Sequence, residues 1–190
     1  MSRLPCALRG PAALSLVAGS LALLACSPAL NWRSLSVPEA GLTLSLPCKP
    51  ERATRPVDWG AGAVELSMLG CEADGATFAV SHMPLADPAQ AGAALARWRA
   101  AMRAGMQAST EAGTDAAEAA FVPAHALALP QSVRMMAQGT GPDGRAVVAH
   151  AVWFARLEGG HVRLYHAALY ARQARTAAAD AFFAGLALPP

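Results

Sequence analysis

The sequence predicts an α+β domain built on a mainly antiparallel β-sheet flanked by helices, in the manner of an α/β/α sandwich. Short segments that alternate apolar and polar residues recur along the chain, with the period of half-buried strands. One long segment instead repeats apolar residues at three and four positions, as an amphipathic helix does. Strand-like segments are grouped before and after this helix, which favours an antiparallel sheet over a parallel one.

The first element is a predicted export signal over residues 1–25. Arg3 and Arg9 come first, an uncharged and mostly apolar run follows, and no acidic residue precedes Cys26. A short basic region followed by an apolar run is typical of a secretory signal peptide.

The apolar run ends in Leu23-Leu24-Ala25-Cys26, which resembles the lipobox of bacterial lipoproteins. The resemblance implies a diacylglycerol on the Cys26 thiol, cleavage after Ala25 and acylation of the new amine. Leu24 departs from the usual pattern, in which this position is small. In Gram-negative lipoproteins a residue such as Ser27, rather than Asp, implies transfer to the outer membrane. We therefore expect a cell-envelope protein that faces the periplasm and is held in the membrane by acyl chains on Cys26.

Two other interpretations of this segment remain open. Residues 10–32 carry no charge, and a helix of that length, about 35 Å, would span a bilayer as an uncleaved anchor. Pro28 would break its far end. The second alternative is ordinary cleavage, for instance after Ala29, which would release a soluble secreted protein.

The charge of the remaining chain excludes a nucleic-acid partner. Loss of residues 1–25 removes Arg3 and Arg9 and leaves 13 basic against 13 acidic residues, without the excess that a basic binding face needs. We predict a lipidated tether over residues 26–36 and one globular domain over residues 37–190, a length that supports a sizeable core.

The cysteines outside the signal predict a disulfide. Cys6 leaves with the signal and Cys26 would be lipidated, so Cys48 and Cys71 remain, and leftover pairs in oxidising compartments usually join. A metal or redox site is the alternative, but the spacing is not CxxC and no histidine is near either cysteine in sequence.

The first strands lie before the helix. Alternation in residues 42–46 predicts a strand, residues 48–62 a loop or ragged edge strand, and residues 63–73 and 76–85 a hairpin around Asp74-Gly75.

The helix is predicted from residue 88 to about residue 106, with Asp87 as its cap. Its apolar stripe consists of Leu95, Trp98, Met102 and Met106. Three arginines lie mostly off this stripe, and we interpret them as a solvated face, with contact to anionic lipid as the alternative: Arg97, Arg99 and Arg103.

Further strands are predicted after the helix: a weak one over residues 121–129 and better ones over residues 132–138, 146–157 and 161–171. If Gly159-Gly160 centres the last hairpin, Phe154 faces Tyr165 and Trp153 faces His166. Both faces of this hairpin are apolar, which predicts a sheet covered on both sides. A short helix over residues 176–188 ends the chain.

A strand that ends in LPCKPER, the meandering strands and a closing AFFAGLAL resemble the PsbP-like α/β/α domains of small exported proteins. This resemblance covers most of the chain after the signal. It implies a fold and carries no site residues.

The sequence contains no recognisable catalytic, cofactor-binding or metal-binding motif. His161 and His166 are five positions apart on one strand and should point to opposite faces, as should His150 and His166. The remaining histidines, His82 and His125, suggest no ligand set.

The acidic and aromatic residues outside these elements also receive structural interpretations. Three acidic residues after the helix indicate a solvated loop, with a weak cation site as the alternative: Glu111, Asp115 and Glu118. Asp58 reads as a turn residue, and Trp32 and Trp59 as packing residues rather than an exposed patch.

From these observations we expect no cofactor and no metal, and a non-catalytic accessory domain that contacts an envelope protein. The alternative is a small-ligand-binding protein or an enzyme with a composite site on the sheet. A deep pocket that holds convergent histidine and acidic side chains would favour that alternative.

Overall fold

The structure is a computed structural model that describes residues 30–59, 62–107 and 118–190. The predicted signal, Cys26, Glu111 and Asp115 lie outside the described residues. In the described ranges, no helix combines the length and the apolar character needed to cross a bilayer.

The described residues form nine strands and two helices. The strands before the first helix are β1 (Arg33–Val37), β2 (Leu42–Leu46), β3 (Glu51–Asp58), β4 (Ala63–Ala73) and β5 (Ala76–Leu85). Helix α1 (Ala91–Gly105) follows, and then come β6 (Ala119–Ala120), β7 (Val133–Thr140), β8 (Ala146–Glu158), β9 (His161–Ala171) and α2 (Thr176–Ala184).

Seven strands form one antiparallel sheet in the order β3-β4-β5-β9-β8-β7-β6, and β1 and β2 form a separate hairpin. Helix α1 covers one face of the large sheet, which we call the helix face, and the β1–β2 hairpin with α2 covers the other, the hairpin face. The predicted α+β class with a mainly antiparallel sheet and helices on both sides is therefore confirmed.

The hairpins have the predicted register. Asp74 and Gly75 both have positive φ, at 50° and 69°, as a tight turn between β4 and β5 requires. In the β8–β9 hairpin Phe154 pairs with Tyr165, and Trp153 pairs with His166. The predicted burial on both faces follows, because successive side chains of these central strands enter the two different cores.

Helix α1 begins slightly later than predicted. Pro88–Gln90 form a 3₁₀ turn, in which the Asp87 side chain accepts a hydrogen bond of 2.9 Å from the Ala89 amide. Leu95, Trp98 and Met106 are buried on the helix face of the sheet and Met102 is partly buried, so the predicted stripe does face the core.

Two segments differ from the prediction. Residues 33–37, placed mostly in the tether, form β1 and pair with β2, so regular structure begins before residue 37. The weak strand over residues 121–129 is absent from the described structure, where only Ala119–Ala120 pair with β7. Pro123 has no backbone N–H to donate to a neighbouring strand. The segment instead bends, and the Leu127 amide donates a hydrogen bond of 2.8 Å to the Ala155 carbonyl.

Candidate functional site

A groove of about 770 Å³ lies between the C-terminal half of α1 and the helix face of the sheet. Helix α1 contributes Trp98 and Met102 to its wall, Met106 follows directly after α1, and the floor includes Leu66 from β4 and Val147 from β8. Its volume is within the range of small-ligand sites, about 300–1,000 Å³. A groove of this size over a sheet requires that the helix leave part of the face unfilled.

Small residues on both walls explain the unfilled space. Ala101 and Gly105 are four positions apart on α1 and therefore share the side that overlooks the groove. A β-carbon at Gly105 would meet nothing within 4 Å. Across the groove, Ala79 of β5 pairs with Ala168 of β9, and neither side chain is long enough to reach the helix.

Like Ser81, His166 is a buried polar residue of the groove. Its ring stacks on Trp153, with centroids 4.8 Å apart and 17° between the planes, and the Trp98 ring lies 5.5 Å away. The residue is 8% exposed, and its Nε2 has no hydrogen-bond partner among the described residues. Buried polar atoms are nearly always paired, so His166 Nε2 is available to a polar group in the groove; Trp153 Nε1 is also unpaired, but Trp153 does not line the groove.

Burial also determines the charge of His166. Loss of contact with water lowers the pKa of this imidazole to about 4, so the ring is neutral near pH 7. Its Nε2 therefore donates or accepts one hydrogen bond, according to the tautomer.

Trp59, just after β3, borders the groove and is held in place by α1. The Arg97 guanidinium lies 5.3 Å from the centre of its ring and donates a hydrogen bond of 2.8 Å to its carbonyl. Its ring meets Trp98 edge to face at 5.8 Å, and its Nε1 is buried without a partner among the described residues. Trp59 thus supplies a fixed apolar wall and a second unpaired nitrogen.

Arg55 is the one charged side chain among the described residues of the groove lining. It lies on the edge strand β3 and is exposed, whereas the interior of the groove is apolar. The described lining includes no carboxylate, so His166 has no acidic partner there. The apolar interior suits contact with an apolar molecule.

A polar cluster on the hairpin face is internally satisfied. Arg163 pairs with Glu158 at 3.0 Å and contacts His82 Nδ1 at 3.3 Å. The Tyr165 hydroxyl donates to the Ala40 carbonyl at 2.6 Å, and burial, the largest cause, raises the pKa of this phenol. Burial likewise lowers the pKa of His82, with Arg163 adding to the effect. This cluster joins the segment before β2 to the sheet, and none of its side-chain atoms is among the buried unpaired atoms of the described residues.

The histidines do not converge on one site. The His150 Nε2 accepts a hydrogen bond of 3.3 Å from the Arg175 amide beside α2, on the hairpin face, whereas His166 contacts α1 on the helix face. His161 is exposed at the start of β9, and His125 is exposed in the loop before β7. In the part of the chain that the structure describes, no group of three or more His, Cys, Asp and Glu side chains could hold a metal ion.

The remaining predicted residues have structural partners. The disulfide between Cys48 and Cys71 is present and joins the segment after β2 to β4, with the two Cα atoms 5.9 Å apart. Glu118 pairs with Arg99 at 3.0 Å. Trp32 packs edge to face on Phe78, on the opposite face of the sheet from Trp59, so the two tryptophans do not form one patch.

Sequence reasoning did not identify the groove. Its residues come from separate elements: small residues on α1, Arg55 on the edge strand and His166 on the central strand β9. The available signals were the pair Ala101 and Gly105 beside a buried stripe, and one histidine within an otherwise apolar stretch of β9. No protein-family model, curated protein or solved structure matches this chain.

Proposed function

We propose that the chain is an envelope lipoprotein, exported by residues 1–25 and anchored through acyl chains on Cys26. Arg3, Arg9, the apolar run and the lipobox-like Leu23-Leu24-Ala25-Cys26 support this proposal. The Cys48–Cys71 disulfide is consistent with an oxidising compartment such as the periplasm. Strand β1 begins at Arg33, close in sequence to Cys26, so the domain would lie near the membrane surface.

The domain acts, in this proposal, as a non-catalytic module that binds a small, mainly apolar ligand. The observation that carries this function is the unpaired, buried Nε2 of His166 beside an apolar groove of about 770 Å³. A pocket with both histidine and acidic groups would have favoured an enzyme. The described lining includes the imidazole of His166 but no acidic side chain, which favours a binding site over a catalytic one. A small ligand therefore replaces an envelope protein as the preferred partner.

The experiment isolates the full chain from cell envelopes in lipid nanodiscs and identifies extracted small molecules by mass spectrometry. Ala101→Phe places a ring in the groove and should largely abolish the bound molecule. Ala100→Phe is the matched control, because Ala100 is an exposed neighbour on α1 that does not line the groove. Ala100→Phe should retain the molecule in the amount found for the unmodified chain.

The proposal predicts a molecule that is enriched over empty nanodiscs and lost only in Ala101→Phe. It is contradicted if the unmodified chain carries no enriched molecule, or if both variants retain the molecule equally. If an envelope protein co-purifies with the unmodified chain and with both variants, and no small molecule does, the domain binds a protein through its surface instead.

A further inference from the structure

The groove is elongated. Side chains from β3, β4, β5, β9 and β8 line its floor, and these are consecutive strands of the sheet. Four interstrand spacings of about 4.8 Å make this floor about 19 Å across. The lining also includes Met68, Met102 and Met106, whose unbranched side chains adapt to irregular shapes. A long floor with adaptable walls fits a flexible chain better than a compact, rigid molecule.

One end of the groove is positively charged. Arg55 lies on β3, the edge strand, and within the described ranges it has no ion-pair partner. The described lining contains no acidic side chain that would attract a cation. A carboxylate at the end of the chain would pair with Arg55 at the rim, where both charges keep contact with water and desolvation is small.

A second polar position lies deeper in the groove. Ser81 of β5 is the register partner of His166 on β9, and both side chains line the groove and are 8% exposed. The Ser81 hydroxyl donates and accepts hydrogen bonds, and the neutral imidazole offers the unpaired Nε2. A hydroxyl group on the ligand, which also donates and accepts, would match this pair.

The spacing of the two positions sets the length of the ligand. Strand β3 is separated from β5, which carries Ser81, by two interstrand spacings and from β9, which carries His166, by three, about 10 to 14 Å. The polar group on the chain must therefore be many bonds away from the carboxylate.

We propose that the groove binds a single-chain carboxylate that carries a hydroxyl group far along its chain, with the carboxylate at Arg55 and the hydroxyl group at Ser81 and His166. This inference rests on the proposed function, because it names the ligand class of the same groove.

The test uses the full chain in nanodiscs and calorimetric titration with four probes of equal chain length. The probes are dodecanoate, 12-hydroxydodecanoate, dodecanol and dodecylammonium, and empty nanodiscs provide the correction for partition into lipid. We expect 12-hydroxydodecanoate to bind most tightly and dodecylammonium least tightly.

Arg55→Gln should weaken both carboxylates about two- to fivefold, the effect of an exposed ion pair, and leave dodecanol unchanged. Arg52→Gln is the matched control, because Arg52 lies on the same edge strand but faces away from the groove. It should change none of the four affinities.

His166→Phe retains a ring and removes Nε2. It should weaken 12-hydroxydodecanoate about two- to tenfold relative to dodecanoate, the effect of one hydrogen bond. Retained dodecanoate binding shows that the groove remains folded. Ser81→Ala provides a second variant with a smaller change in volume and should act in the same direction.

The ligand class is wrong if dodecylammonium binds as tightly as dodecanoate, or if His166→Phe and Ser81→Ala leave 12-hydroxydodecanoate unchanged. It is also wrong if no probe binds although Ala101→Phe removes a molecule that co-purifies with the unmodified chain. In that last case the proposed binding function stands. If no probe binds and no molecule co-purifies, both proposals fail.

Discussion

Trp153 of β8 and His166 of β9 stack across the central hairpin, with their ring centroids 4.8 Å apart and their planes inclined by 17°. The stack covers one side of the imidazole. The ring of Trp98 from α1 also packs against it, with the two ring centroids 5.5 Å apart. His166 therefore belongs both to the packed core and to the lining of the groove. The protonation of His166 consequently affects both the stability of the domain and the chemistry of the site.

The unfolding free energy should fall as the pH is lowered through the range in which His166 titrates. The folded-state pKa is about 4 and the ordinary value is 6.5, so the unfolded chain takes up the proton first. The contribution is fully present above about pH 6.5 and is lost as the pH falls toward 4. Between pH 7.5 and pH 5 we expect a loss of about 2 kcal/mol, measured by urea unfolding.

His166→Phe isolates this effect from the carboxylates and the other histidines. Burial also lowers the pKa values of His82 and His150, so the unmodified chain loses stability from several groups. The unfolding free energy of the unmodified chain should fall relative to that of His166→Phe as the pH decreases, because only the unmodified chain must bury an imidazolium. If the unfolding free energies of the two chains depend on pH in parallel, His166 has the same pKa in the folded and the unfolded chain, which would contradict the prediction.

The fold was predictable where local chemistry determines the register. Asp74-Gly75 and Gly159-Gly160 locate two hairpins, and alternation then assigns each side chain to a face. Strand β1 was missed because its alternation is short and it pairs only with β2, outside the large sheet. Its start at Arg33 also follows directly on an uncharged stretch that resembles a tether.

The candidate site was not predictable, because it depends on tertiary arrangement. Arg55 and His166 are far apart in sequence and become groove residues only through the order β3-β4-β5-β9. The empty space depends on the small residues Ala101 and Gly105, and their sequence pattern alone does not show that the sheet opposite them is also lined by small residues. The disulfide was predictable because the predicted export signal and lipidation of Cys26 left only Cys48 and Cys71 to pair.

Removal of the disulfide should destabilise the domain. The Cys48→Ala, Cys71→Ala double variant should lower the unfolding free energy by about 3 kcal/mol, because the open loop gains conformational entropy in the unfolded chain. Urea unfolding measures the change, and the unmodified chain in reductant is the control and should match the variant. Alkylation of both thiols in freshly isolated native protein would contradict the pairing.

Substitution of Cys26 should block maturation if the chain is a lipoprotein. Cys26→Ala should accumulate an unprocessed chain, since the thiol that receives the diacylglycerol is absent. Cys6→Ala is the matched control, because Cys6 lies within the predicted signal and should not affect processing. Intact-mass analysis distinguishes the alternatives: an unmodified chain that begins at Met1 would indicate an uncleaved anchor, and one that begins at Leu30 a secreted protein.

The last prediction compares two adjacent residues of α1. Trp98 is 8% exposed and contacts Trp59 and His166, so Trp98→Ala should lower the unfolding free energy by about 3 kcal/mol. Arg99 instead forms a partly exposed ion pair with Glu118, and Arg99→Ala should cost less than about 1 kcal/mol. Chemical unfolding at pH 7.5 measures both changes.

The pH dependence provides a second measurement for Trp98. Loss of the indole should admit water to His166, raise the pKa of the imidazole toward its ordinary value and flatten the decline in stability between pH 7.5 and pH 5. Arg99→Ala should retain the steep decline, since Arg99 is not among the causes of the His166 shift. If Trp98→Ala leaves both the unfolding midpoint and its pH dependence unchanged but abolishes ligand binding, Trp98 is a surface binding residue rather than a shared wall of core and groove.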